Sequence, residues 1–415
     1  MKFIGDFHIH SKYARATSQD MNLENLAIWA KKKGIQVMST GDFTHPAWFQ
    51  ELRSKLEPSA PGLFKLKNNT SGTSFILTTE ISCIYSKNGK VRKVHLLVFA
   101  PSLEAVKKIN DRLALRGNLA ADGRPIIGID AIDVVKIALD ASPECMVIPA
   151  HAWTPWFAVF GSKSGFDSLE ECFDDYAKYI YAVETGLSSD PAMNWRFSKL
   201  DNVALISNSD SHSLQKIGRE ANVFDTEVSY QGIADAIKTR DPKKFLFTVE
   251  FFPEEGKYHY DGHRLCHVSL APAQSKERNG ICPKCGKPLT IGVLNRVEEL
   301  ADRPEGFVPP NNIPFKSLVP LDEIIGEALH VGVHSKQVLK EYEGLLGKIG
   351  SEFKILLDTS LSDLQEATLP EIAHAISCVR EGKIRIEPGY DGEYGKIALP
   401  SAEKEAPFTP QRNLL

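Results

Sequence analysis

His8 and His10 stand one residue apart at the end of a short apolar run, Phe3-Ile4-Gly5-Asp6-Phe7. On an extended backbone alternate side chains leave by the same face, so both imidazoles aim at one spot. Two imidazoles converging at the end of a buried strand make half of a metal site. The arrangement recurs along the chain. Asp42 and His45 follow the apolar run Gln36 to Thr40, Glu80 follows Phe75 to Thr79, and His95 lies inside Lys93 to Phe99. His151 follows Cys145 to Ala150, and Asp210 and His212 follow Val203 to Ile206. Of 12 histidines, these six (8, 10, 45, 95, 151 and 212) fall at or beside strands. Gathered at one mouth with Asp42, Glu80 and Asp210, they would carry several metal ions. Two ions about 3.5 to 4 Å apart lower the pKa of a bound water, present hydroxide in line with phosphorus and neutralise the leaving oxygen. Nothing else in the sequence offers a nucleophile. Imidazole-rich sites suit Zn, Mn or Fe(II) better than Mg, and zinc, manganese and magnesium are all candidates.

Such residues need a frame that brings strand ends together. From residue 1 to about 250 short apolar strands alternate with amphipathic helices, the pattern of an α/β fold. Asn22 to Lys33 has helical spacing and stops at Gly34, and Ala105 to Leu113 and Asp130 to Leu139 follow the same rule. In a parallel barrel the strand C-terminal ends share one face, where active sites are built. At 415 residues the chain predicts about two or three domains. No apolar run is long enough to span a membrane, and Lys2 and Asp6 flank too short an apolar stretch for a secretory signal, so the expected location is the cytoplasm. Seven cysteines are an odd count and too few for a disulfide framework. Cys83, Cys145, Cys172 and Cys378 lie among apolar neighbours and read as core packing. A net charge of −4 carries no whole-chain signature of nucleic-acid binding.

In this order the residues resemble the polymerase and histidinol phosphatase (PHP) family of metal-dependent phosphoesterases. The resemblance lies in His-x-His on the first strand, the Asp/His turn after the second, a lone Glu, two spaced histidines and a final Asp-x-His. It implies a distorted (β/α)7 barrel over residues 1–250 with two to three divalent ions. On this chain His8, His10, Glu80 and Asp210 would hold the first ion, and Glu80 would bridge to a second held by His95 and His151. His212, with His45 or Asp42, would hold a third, and Glu80, Asp210 and His212 are the residues expected to carry catalysis. Where many members have a further histidine after the first pair, this chain reads Ser11-Lys12-Tyr13-Ala14-Arg15-Ala16, and Arg15 or Lys12 would serve phosphate instead.

The last third has no place in a small phosphatase. His263-Arg264-Leu265-Cys266 precedes Cys282-Pro283-Lys284-Cys285-Gly286 by fifteen residues, two knuckles at zinc-ribbon spacing with a histidine replacing one thiolate. His259 and His267 compete with His263 as the fourth ligand of this structural zinc. From Lys257 to Arg296 seven basic residues face two acids, Asp261 and Glu277, a local +5 that suits a grip on a nucleic-acid backbone. The zinc module is expected over 251–303 and a Pro-rich linker over 304–320. A helical domain over 321–397 has helices at Leu321 to Leu329, Ser335 to Ile349 and Pro370 to Arg380 and ends in a hairpin, and a polar flexible tail fills 398–415.

Barrel, zinc module and helical end together are similar to the endonuclease Q family, a DNA-repair branch of the PHP group. The more specific matches are His151 to Phe157, Gly161 to Phe166, the zinc module and the hairpin Glu387 to Ile397. The family implies metal-dependent cleavage of damaged double- or single-stranded DNA on the 5′ side of uracil, hypoxanthine, xanthine or an abasic site. Reading a damaged base requires extruding it into a pocket that stacks it and bonds its edge. Trp153, Trp156 and Phe157 beside His151 are candidates for the wall, Ser162, Lys163 and Ser164 for the adjoining loop, and Asn208 for the edge. Two other readings compete: a phosphatase of small phosphate monoesters, and a DNA-binding or clamp-associated protein with an inert site. Gln411 to Leu415 begins like a sliding-clamp peptide.

Overall fold

The computed structural model describes residues 1–68 and 71–399. Residues 400–415, most of the expected polar tail with its clamp-like peptide, lie outside the described residues, while Ala398, expected at the start of that tail, belongs to a strand. No helix among those described is long and apolar enough to cross a membrane.

The fold is mixed α/β. Strands β1 (Lys2–Asp6), β2 (Val37–Ser39) and β5 (Ser74–Lys87) run parallel at the centre of the largest sheet. β3 (Leu56–Ala60) and β4 (Leu63–Leu66) extend it antiparallel on the β5 side. β6 (Lys90–Ala100) pairs antiparallel and β7 (Ile126–Ile127) parallel with β5, and β8 (Met146–Pro149) pairs antiparallel with β6. β9 (Ala182–Glu184) and β10 (Ala204–Ile206) form a separate parallel pair. On the other side of β1 come β11 (Ala221–Asp225) and β12 (Phe245–Glu250), both antiparallel.

This pairing departs from the all-parallel expectation, and its cause is local. Asn88-Gly89, with φ of 55° and 73°, closes a two-residue turn that folds β5 and β6 into one long hairpin. Glu80 consequently sits within a strand rather than at its end, while His95 lies inside its strand as expected. The helix Leu23–Lys33 forms where expected: Asn22 caps its first turn, Gly34 at φ 88° closes it, and Leu23, Leu26, Ala27 and Ala30 face the core.

β13 (Asp261–His263) and β14 (Val268–Leu270) make a small antiparallel ribbon over Cys282 and Leu289. The Pro-rich stretch expected as a bare linker carries β15 (Phe315–Ser317), which pairs in parallel with β12 and so belongs to the large sheet. Helices Leu321–Ala328, Lys336–Ile349, Leu361–Ala367 and Pro370–Arg380 follow. Lys33 and Glu352, both buried, pair at 2.7 Å between the first helix and this helical end, and Tyr342 donates to the same carboxylate at 2.7 Å. β16 (Arg385–Glu387) and β17 (Lys396–Ala398) close the described chain as an antiparallel hairpin.

Candidate metal centre

The hairpin register explains the heart of the site. Glu80 opposes Leu97 and Ser82 opposes His95, so period-two alternation puts Glu80 and His95 diagonally on one face. His95 Nδ1 lies 2.6 Å from Glu80 Oε1, and His151 Nε2 reaches the same oxygen at 3.1 Å. The other oxygen, Oε2, looks toward β1: it is 3.2 Å from His10 Nε2 and 3.6 Å from His8 Nε2. Asp210 Oδ1 approaches His10 Nε2 at 3.1 Å and His8 Nε2 at 3.6 Å. Two groups result, His8, His10, Glu80 and Asp210, and Glu80, His95 and His151, each with its ligand atoms within 4.8 Å of one another.

His8 Nε2, His10 Nε2 and Asp210 Oδ1 are buried with no hydrogen-bond partner. His10 Nε2 approaches Glu80 and Asp210 closely but without hydrogen-bond alignment, and His8 Nε2, at 3.6 Å from both, lies beyond hydrogen-bond reach. Buried polar atoms left unsatisfied are costly, and three converging on a shared carboxylate are the arrangement a cation satisfies. The donor set of neutral imidazole and carboxylate fits a divalent transition ion.

The back nitrogens are fixed. His8 Nδ1 sits 3.0 Å from both oxygens of Glu184, and Glu184 Oε2 also accepts from the His151 backbone N–H at 2.8 Å. His10 Nδ1 sits 3.0 Å from Asp42 Oδ1, whose other oxygen accepts from the Ser11 N–H and hydroxyl at 2.6 and 2.7 Å. A carboxylate behind an imidazole orients the ring and makes it a stronger ligand.

The electrostatics call for positive charge. Burial alone would raise the Glu80 carboxyl, but His95, Arg124 and His8 outweigh it and hold it well below the usual range. Asp210 is depressed in the same way: burial opposes, and His8 and His10 prevail. Burial would lower His8 and His10, yet Glu184, Asp210 and Glu80 drive His8 well up, and Asp42 with the same two carboxylates drives His10 up. His95 goes the other way, to about 4, because burial outweighs Glu80. A neutral His95 is the form that ligates.

Asp42, His151 and Asp210 carry φ of 46°, 31° and 45°, left-handed values that non-glycine residues rarely adopt. The chain turns sharply at three strand exits to aim these groups. Gly186 is forced by the same crowding, since a Cβ there would lie 2.6 Å from His151 Cβ.

The remaining expected residues are placed differently. His45 caps the helix Pro46–Lys55 and stacks on Tyr13 at 4.4 Å, so neither it nor Asp42 joins a ligand group. His212 lies at the rim, its ring 4.5 Å from that of His10. His263, Cys266, Cys282 and Cys285 come together as a third group, while His259 and His267 stay outside it. Burial opposes Cys282 ionisation, but backbone N–H groups of Lys284 and Cys285 bring its thiol down to about 6, the direction a thiolate ligand needs.

A cleft of about 780 Å³ opens over the centre, with His95, His151, Asp210 and His212 in its floor. Trp156 and Phe157 line it, Trp156 with 38% of its surface exposed. Trp153, 1% exposed, is core instead: its indole donates to Asn194 at 2.7 Å and packs on Phe160. Asn208 borders the cleft, but its amide is spent on Glu184, the Phe7 N–H and Asn222. The Ser162 and Ser164 hydroxyls donate to the carbonyls of Ile291 and Lys93 within the fold, and Lys163 is exposed away from the cleft lining. Sequence reasoning gave no role to Glu184 at the end of β9, nor to Arg124, whose guanidinium meets Glu80 Oε2 at 3.0 Å. Neither has a spacing signal, since each reaches the site only through the fold.

Comparison with known proteins gives one consistent pattern. Residues 320–383 match the MJ0043 C-terminal domain family. The chain is 34% identical over 259 residues to the uncharacterized protein MJ0043 of Methanocaldococcus jannaschii, spanning 60% of this chain and only 31% of that protein. It is 30% identical to the uncharacterized protein YqxK of Bacillus subtilis over 95% of this chain and 99% of the relative. Among solved structures, the lesion-specific endonuclease PfuEndoQ from Pyrococcus furiosus superposes with a TM-score of 0.85 at 32% identity, covering 96% of both chains. Endonuclease Q in complex with a 27-mer duplex carrying an abasic lesion at the active site gives 0.87 at 32% identity, covering 98% of both.

Proposed function

We propose that this chain, which belongs to the endonuclease Q family, is a metal-dependent DNA-repair endonuclease. It hydrolyses the phosphodiester on the 5′ side of uracil, hypoxanthine, xanthine or an abasic site. One observation carries the reading: two ligand groups share the buried Glu80 carboxylate, and their members His95, His151 and Asp210 line the floor of a cleft roomy enough for nucleotides. The abasic duplex held by the related enzyme supports DNA as the partner. The accompanying fold reading is a distorted (β/α)7 barrel whose mouth is this cleft.

His8, His10, Glu80 and Asp210 would hold one divalent ion, Glu80, His95 and His151 a second, and His212 stands at the rim for a third. When bound, zinc or manganese there would supply Lewis acidity toward the phosphodiester, activation of water and neutralisation of the leaving oxygen. Glu184 and Asp42 keep the outward nitrogens of His8 and His10 as lone pairs by holding the inner ones. Arg124 adds a fixed positive charge beside Glu80 where phosphate charge would settle. Trp156 and Phe157 offer rings against which an extruded base stacks. His263, Cys266, Cys282 and Cys285 would hold a structural zinc whose basic module grips the duplex backbone.

The test uses matched oligonucleotides carrying uracil, hypoxanthine, an abasic site or no lesion, beside a chromogenic phosphate monoester. The expected product is a single cut 5′ to each lesion, abolished by chelator. Monoester turnover without DNA cleavage, or equal cutting of undamaged DNA, would sink the proposal.

A further inference from the structure

The terminal hairpin returns to the active cleft and finishes its wall. Its turn lies along residues 254–260 through main-chain bonds: Gly389 N–H donates to Glu254 O at 2.7 Å, Gly392 N–H to Lys257 O at 2.9 Å and Gly395 N–H to Glu255 O at 3.0 Å, while Tyr260 N–H donates back to Gly389 O at 2.9 Å. A Cβ on Gly389 would lie 2.4 Å from Gly256 O and one on Gly395 2.5 Å from Glu254 O, so the two glycines set how closely the hairpin seats.

That seating delivers Tyr394 to the cleft with 54% of its surface exposed and Lys257 Nζ 4.5 Å from its ring centre. Across the same wall Tyr258 meets Trp156 edge to face at 5.8 Å. Large rings left in solvent beside a basic cleft are surfaces available for stacking. Tyr394 also borders a second cavity of about 420 Å³ toward the helical end, which shares Lys216, Arg219 and Tyr394 itself with the first. It therefore stands on the ridge between the two. In the second cavity Glu323 and Glu327 face Lys216 and Arg219, with Lys216 already paired to Glu323, whereas the first cleft adds Lys257, so a phosphate backbone finds more free positive charge along the ridge and the first cleft.

We propose that Tyr394 is a stacking wedge: when the damaged nucleotide swings into the metal-side cleft, the phenol ring packs on the base left beside the gap, and Lys257 neutralises the adjoining phosphate. The inference rests on the lesion-endonuclease reading of the same site. A side chain that fills the vacated position offsets part of the unstacking cost, which duplex DNA imposes and single-stranded DNA largely lacks.

The test compares Tyr394→Ala and Tyr394→Trp in the full-length, metal-loaded enzyme, with single-turnover cutting of a uracil strand alone and in duplex. A 2-aminopurine beside the uracil reports unstacking on binding to chelated protein. Tyr394→Ala is expected to lose at least about tenfold more rate on duplex than on the single strand and to abolish the fluorescence rise, the scale of one missing base–aromatic stack, while Tyr394→Trp keeps both. Equal losses on the two substrates, an unaltered duplex rate, or a tryptophan variant as poor as alanine would overturn the wedge. A wild-type enzyme that neither binds nor cuts the uracil duplex would overturn the underlying endonuclease reading instead, and the two failures are thereby distinguishable.

Discussion

Glu80 concentrates the chemistry of this molecule in one carboxylate: each oxygen faces a different set of imidazoles, and Arg124 stands beside it. Substituting Asp210→Asn removes the anionic oxygen between His8 and His10, so cleavage of lesion DNA should vanish while gel-shift affinity stays near wild type. Substituting Glu184→Gln leaves every proposed ligand in place but weakens the hold on His8. Metal affinity or rate should then fall about 10- to 100-fold, read by titrating metal into the apoprotein and following activity. A second residue-scale prediction concerns Glu250, fully buried and raised to about 8, because burial outweighs the hydroxyl bonds from Thr248 and Thr185. Glu220 beside it is raised as well, by burial and by Glu250. The folded state therefore keeps a proton that the unfolded chain releases near 4.5. The stability this contributes is complete below 4.5 and is lost as pH rises toward and through about 8. Melting temperature should drop between about pH 4.5 and pH 8, and Glu250→Gln should flatten that drop; an unchanged slope would remove the pair from the account.

At the scale of elements, the β5–β6 hairpin sets the distance between Glu80 and His95, and the zinc-type module is the part proposed to grip the duplex. In the module three thiols and one imidazole converge around a tiny apolar cluster of Val268, Cys282 and Leu289, far too small to fold unaided. Cys282→Ser should lower metal content by one zinc per chain and weaken DNA binding with a shallower salt dependence, leaving the cutting chemistry on saturating substrate intact. Wild-type affinity together with wild-type metal content in that variant would dismiss the module from DNA binding. The hairpin also shows where elements escaped linear reading. Asn88-Gly89 is a strong two-residue turn signal, and between alternating apolar strands it dictates antiparallel return. Reading the flanking runs as separate parallel strands overlooked that turn. β15 escaped for a different reason, since three residues in a Pro-rich stretch become a strand only because the edge of β12 is there to pair with them.

Across the whole molecule, the helical end is fastened to the α/β body by the buried Lys33–Glu352 pair and its Tyr342 hydrogen bond. Glu352→Ala would leave a lysine charge buried and alone, a loss of about 3 to 5 kcal/mol measurable by chemical denaturation, whereas Lys33→Met with Glu352→Leu should recover much of it. Sequence alone determined what depends on neighbours along the chain. The pairing of His8 with His10 follows from strand alternation, the limits of the helix Leu23–Lys33 from Asn22 and Gly34, and the three cysteine ligands of the zinc-type group from knuckle spacing, whereas only the fold selected His263 over His259 and His267. Tertiary structure alone decided what depends on distance through space. It brought Glu184 behind His8 and Arg124 beside Glu80, turned Trp153 into the core and Trp156 into the cleft, and carried Tyr394 back across more than a hundred residues to the wall near His151. The physical reason is that burial and long-range contact are properties of the folded surface, and no local period or spacing encodes which face of a loop the completed molecule will cover.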